Sequence, residues 1–115
     1  MPTDDITYVG HMLDIAGKAI GKVQGKTRKH FDEDENLRLA LAHLLQTIGE
    51  AARQVSQPFQ AAHPSVPWKA IIGMRHKVVH DYLNVDEDVV WRTTTQELAP
   101  LIAELEKLVP PDASS

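Results

Sequence analysis

The chain has 115 residues, 43% of them hydrophobic and 24% charged, which suits one soluble domain whose modest core would gain from dimerisation. It contains no cysteine, which excludes disulfides, thiolate metal sites and cysteine nucleophiles and suits a reducing, cytoplasmic setting. A net charge of −4 and a pI near 5.8 exclude coating of nucleic acid by bulk charge, so any RNA or DNA contact must be local.

No apolar run reaches the length of a membrane span, and Asp4 and Asp5 stand where the apolar core of a signal peptide would begin. Those two carboxylates favour the positive end of a first helix over residues 4–24. Its apolar positions Ile6, Val9, Leu13, Ala16, Ile20 and Val23 recur at steps of three and four. Lys18, Lys22 and Lys26 fall at i, i+4 and i+8 along one side, and Arg28 and Lys29 follow. Residues 18–29 hold no carboxylate. Such a ridge is either a solvated face or a row of RNA phosphate contacts.

Residues 25–31 read as a connection. A second helix spans residues 34–56, with Asp32 and Glu35 spaced as a capping box and Asp34 as the alternative cap. Leu37, Leu41, Leu44, Ile48, Ala51 and Val55 form its stripe, and Leu45 and Ala52 widen it, as expected of a central helix. Gly49 costs helix stability and points to a close helix–helix approach. Glu50 lies near the apolar side, where it could face a partner cation. Residues 56–67, with Pro58, Pro64 and Pro67, form a linker with room for one turn around Phe59.

Pro67 is placed to be the first residue of a third helix over residues 67–82, whose apolar side is Trp68, Ile71, Ile72, Val78 and Val79. Trp68 reads as a core anchor in preference to a base-stacking platform. Asp86, Glu87 and Asp88 open a fourth helix that continues to Val109, with Pro100 expected to kink it or split it after about Thr95. No strand pattern is present. The fold expected is an all-α, up-and-down bundle of four or five helices over residues 1–109, with a tail at 110–115.

The chemistry concentrates in Arg75-His76-Lys77-Val78-Val79-His80-Asp81-Tyr82. On a continuous helix His76 and His80 share a face, as do Arg75 and Tyr82. Arg75 and His80 stand roughly 140° apart on an ideal helix, so they would meet across a cleft or with the help of a second chain. Three readings fit. Arg75 holds a phosphate while His80 moves a proton, the RNA 2′-hydroxyl serving as nucleophile. Alternatively His76 and His80 ligate a metal, although Lys77 replaces the glutamate of zinc peptidases and no third ligand is evident. Otherwise these are polar residues on a bundle surface.

Arg75, His80 and Tyr82 fit an R-x4-H-x-Y motif, and the segment resembles HepT-like proteins of the HEPN superfamily. Ile48-Gly49-Glu50-Ala51-Ala52, His63-Pro64-Ser65-Val66-Pro67-Trp68, Gly73-Met74-Arg75, Val85-Asp86 and Val90-Trp91 extend the resemblance over roughly residues 5–108. One departure is His76, where the family most often has asparagine.

The resemblance implies a homodimer whose two motifs meet in an interface cleft. It also implies a metal-independent endoribonuclease toxin of a type VII HEPN–MNT toxin–antitoxin pair, needing no cofactor. Arg75 and His80 would be catalytic, with His76 and Glu50 in support. The implied partner is an MNT-type nucleotidyltransferase antitoxin that neutralises the toxin by transferring AMP to Tyr82. A catalytically inactive nucleotide- or protein-binding module partnering such a transferase is the alternative.

Overall fold

Val9, Met12, Ala16, Ala19 and Val23 recur at steps of three and four and form the buried stripe of helix α1 (Thr3–Val23) in the computed structural model, which describes residues 3–81 and 84–110. The stripe is turned slightly from the expected one, leaving Leu13 and Ile20 half-buried on its border. Gly25 ends the run with a left-handed φ of 72°, a conformation glycine adopts without a Cβ penalty. The Asp5 carboxylate, expected to serve the helix end, accepts instead from the N–H of Ser56 at 2.7 Å and from its hydroxyl at 2.8 Å. That bond fastens the chain beyond the next long helix back onto α1.

The expected connection at 25–31 contains the start of a short helix, α2 (Arg28–Glu33). The Thr27 hydroxyl accepts from the His30 N–H at 3.2 Å, and the His30 Nδ1 accepts from the Thr27 N–H at 3.0 Å. This reciprocal cap uses a histidine where glutamate is usual. The helix carries Phe31 fully into the core, 5.2 Å from the Trp91 ring. Asp32 does not cap; it pairs with Arg28 at 2.8 Å. Asp34 caps α3 (Glu35–Gln54) by accepting from the Leu37 N–H at 3.0 Å.

Helix α3 is the centre of the bundle. It packs on α1, α2 and three later helices, α5 (Trp68–Ile72), α6 (Met74–Val78) and α7 (Glu87–Arg92). Leu41, Ala42, Leu45, Ile48, Gly49, Ala51 and Ala52 are its buried positions. A Cβ at Gly49 would lie 2.9 Å from the Ile71 carbonyl oxygen, so the glycine lets the backbone of α5 come into contact. Between these helices Ser56 caps α4 (Gln57–Ala62), two turns where one was expected. Trp68 is a buried anchor, as expected, and its indole N–H donates to the His63 carbonyl at 3.0 Å. Pro67 sits one position outside the helix it was expected to begin.

Two expectations fail after α6. The helix foreseen over 67–82 is bent at Gly73 and ends at Val78, and a short antiparallel pair follows, β1 (Val79–Asp81) and β2 (Asn84–Val85). Strands were not anticipated. Val78 and Val79 are β-branched, and with the helix already interrupted at Gly73 they favour extension. The fourth helix is split as expected: α7 leads into a π turn (Thr93–Glu97) and then α8 (Leu98–Glu106). Pro100 lacks an N–H for the carbonyl four residues back, and the wider turn precedes it. The Thr94 and Thr95 hydroxyls donate to the carbonyls of Val90 and Trp91, a pattern that also bends helices.

The architecture is an all-α bundle carrying one small hairpin. Among the described residues eight α-helical segments replace the four or five expected, and no helix is long and apolar enough to cross a membrane. Residues 111–115 of the expected tail lie outside the described residues.

Gly49→Ala should destabilise the fold by about 1–3 kcal/mol, because its methyl meets backbone that cannot swing away. Gly10→Ala, in α1 with open space around it, should be neutral or stabilising by roughly 0.5–1 kcal/mol. Urea denaturation of the two variants checks both signs.

Candidate functional site

Arg75, His76 and Lys77 lie on the last turn of α6, where positive side chains suit the helix C-terminus. Met74 and Val78 are buried against the bundle, so the three polar residues between them face outward and are exposed. Their order around the helix follows from the 3.6-residue period: His76 is outermost, with Arg75 and Lys77 on opposite flanks. The chain then turns extended. The Val79 N–H donates to the Arg75 carbonyl as the helix closes, and the Asp86 N–H donates to the Val78 carbonyl at 2.6 Å. Asp86 accepts in turn from the Val89 N–H at 3.1 Å, capping α7. Arg75 therefore stands where three elements, α6, the hairpin and α7, are tied together.

His80 is the middle residue of β1, not a fourth-turn neighbour on a helix. The shared helix face assumed for His76 and His80, and the angle assumed between Arg75 and His80, both disappear with the helix at Val78. The metal-chelate reading loses its geometric premise for that reason. The side chain of His80 and the whole of Tyr82 lie outside the described residues.

Glu50 is exposed on α3 and lines a groove of about 450 Å³ against α1, with Tyr8, His11, Asp14 and Lys18. No described residue of α6 is among the walls of that groove, although Gly49, next to Glu50, packs against Met74, next to Arg75. The three α1 lysines do not form one ridge. Lys18 and Lys22 are exposed on the helix, but Lys26 lies past its end, in a hollow it shares with Glu33, Asp34 and Glu35. Arg28 is engaged: it meets Asp32 at 2.8 Å and Asp88 at 2.7 Å, and the two hydrogen bonds raise its pKa above the ordinary arginine value.

A different set of cations was passed over in the sequence. Lys69, Lys77 and Arg92 border two adjoining depressions, of about 790 and 120 Å³, whose walls share Pro67, Ala70 and Lys77. The signal was present as an absence. No carboxylate occurs between Glu50 and Asp81, a span that contains Arg53, Lys69, Arg75 and Lys77.

Comparison with known proteins adds a family to this geometry. Residues 12–108 match the model of the family described as Ribonuclease HepT-like. A Caldanaerobacter subterraneus protein named provisionally as an RNase is 37% identical over 102 residues, covering 89% of this chain and 88% of its own. A Thermococcus cleftensis protein, named with similar reserve as the ribonuclease HepT, is 33% identical over 89% of this chain and 96% of its own. A Methanocaldococcus jannaschii protein, another provisional RNase, is 28% identical over 95% of this chain and 91% of its own. No solved structure matches.

Proposed function

The chain belongs to the HepT-like ribonuclease family, and from that premise we propose that it is an endoribonuclease acting without a metal, with Arg75 and His80 as its reacting pair. The observation that carries the reading is family membership over a segment that includes the complete Arg75-x4-His80-x-Tyr82 pattern. The exposed position of Arg75 at the junction of α6, the hairpin and α7 supports it. Arg75 would grip a bridging phosphate through its planar fork. His80 would take the proton of the adjacent 2′-hydroxyl as that oxygen bonds to phosphorus. The 5′-oxygen of the next nucleotide would then leave and take up a proton, producing a 2′,3′-cyclic phosphate. The nucleophile comes from the substrate, so the scheme needs neither a metal nor a protein nucleophile.

The reading includes a homodimer with both motifs at one cleft. Its support is now the resemblance together with the small size of the chain, since the helix-angle argument ended at Val78. Sedimentation of the purified protein should give a dimer at micromolar concentration, and a monomer there would remove this part.

Arg75→Ala and His80→Ala should each lower cleavage of single-stranded RNA by at least roughly 100-fold, with circular dichroism unchanged. EDTA should leave the parent rate intact. Loss in EDTA with recovery on zinc would instead support a metal site involving His76 and His80.

The partner in this reading is a nucleotidyltransferase of the MNT type, which transfers AMP to Tyr82 and so places a negative phosphodiester and a nucleoside near Arg75. A phenol with a pKa near 10 is a poor base at neutral pH, which favours a regulatory role over a catalytic one. Tyr82→Phe should therefore keep nuclease activity and escape neutralisation when the transferase is co-expressed. Loss of cleavage in a folded Tyr82→Phe protein would move the hydroxyl into catalysis.

A further inference from the structure

We propose that the groove bordered by α4, α5 and α6 carries a single-stranded RNA substrate beyond the motif, with Lys69 and Lys77 as its phosphate contacts. The inference rests on the ribonuclease reading above and deepens it by assigning the strand's path. Three independent features point to it.

The first is charge. The protein is acidic overall, at −4. This groove is nevertheless lined by Lys69 and Lys77 with no carboxylate among its walls, while the adjoining depression holds Arg92 together with Glu97. Two carboxylates later in the chain are paired. Glu97 meets Arg92 at 3.4 Å, and Glu104, its pKa lowered by hydrogen bonds from Lys107 and then Ser65, meets Lys107 at 3.0 Å. Two further hollows among the described residues are different: the α1–α3 groove mixes Lys18 with Asp14 and Glu50, and the one at Lys26 is dominated by carboxylates. In a protein of net negative charge, only a local cationic surface can draw a polyanion.

The second is the floor. The groove, of about 790 Å³, is also lined by Ala61, Pro64, Val66, Pro67 and Ala70, which give it an apolar bed. A cationic edge beside an apolar bed suits a strand that lays sugars and bases down while its phosphates meet ammonium groups. Lysine side chains act there as point charges without base preference, so the contact is sequence-tolerant.

The third is continuity with the motif. On α6, His76 is outermost and Arg75 and Lys77 flank it. A strand crossing α6 from the Arg75 side meets Arg75, then His76, then Lys77, and arrives in the groove. Lys69 lies roughly 12 Å further back along the nearly helical path through Gly73. The histidine that replaces the family's usual asparagine thus stands on the line between the motif and the track.

The test uses the full chain carrying His80→Ala, so that RNA is bound without being consumed. Binding of a labelled single-stranded oligoribonucleotide is followed by fluorescence anisotropy across salt concentrations. Adding Lys69→Gln and Lys77→Gln together should weaken binding and flatten the slope of log K against log salt by about 1.4, or ~0.7 per lost single-strand phosphate contact. Lys18→Gln with Lys22→Gln removes the same charge from α1 and should leave the slope at the parent value. An unchanged slope in the Lys69/Lys77 variant would overturn the proposal. So would an unchanged slope combined with lost capture of the co-expressed nucleotidyltransferase, which would assign the groove to a protein. Because binding is read without cleavage, failure of the unsubstituted chain to cleave RNA would sink the ribonuclease reading and leave the slope comparison standing.

Discussion

The contact between Gly49 and the Ile71 carbonyl is the constraint on which the working end of the molecule depends. Helix α3 touches α1, α2, α5, α6 and α7, so its position sets those of most other elements. At Gly49 the backbone of α5 approaches so closely that a side-chain carbon would stand 2.9 Å from the Ile71 oxygen. Helix α5 is short and α6 continues it through Gly73, so neither has a long face of its own to bury. Their seating comes from this contact together with buried Trp68, Ile71, Met74 and Val78. Arg75 lies one residue past Met74, and its position follows from theirs.

The second constraint is where α6 stops. Its closing hydrogen bonds are taken over by the hairpin: the Asp86 N–H reaches the Val78 carbonyl, and the Asp86 carboxylate caps α7. One residue thereby joins the end of the motif helix to the start of the next. Had the helix run on to residue 82, His80 would have been held in a rigid register with His76. In β1 it belongs to a short extended segment in which Val79 pairs with Val85. At the start of α7, Asp88 meets Arg28, itself paired with Asp32 within α2, while Arg38 reaches Glu87 at 3.4 Å. Those exposed pairs add little stability individually, but they use up cations that a sequence count would assign to RNA.

The distribution of free charge follows from these commitments. Of the basic cluster at 18–29, Arg28 is paired with Asp32 and Asp88, and Lys26 shares a hollow with Glu33, Asp34 and Glu35. Lys69 on α5 and Lys77 on α6, eight residues apart and unremarkable in sequence, line one groove together with Gln57, Gln60 and Ala61 of α4. A chain can be acidic overall and still present a local cationic edge when folding pairs its acids elsewhere.

Local chemistry decided much of this protein. The periodicity of α1 and α3, the central role of α3, the glycine contact, the buried Trp68 and the split near Pro100 follow from side-chain spacing, volume and backbone limits that act over a few residues. The family was also legible, because the Arg75, His80 and Tyr82 spacing, short by itself, comes with matching segments from Ile48 to Trp91. Tertiary structure decided the rest. The end of α6 depends on Asp86 donating back to Val78 across the hairpin, a bond that periodicity cannot register. Phe31 needed Trp91 beside it before a short segment read as a connection became a helix packed into the core. Asp5 found Ser56 fifty-one positions away, and Lys26 left the lysine row because Gly25 turned the chain. In each case the deciding energy is a contact between residues far apart in the chain, which becomes available only once the helices have packed.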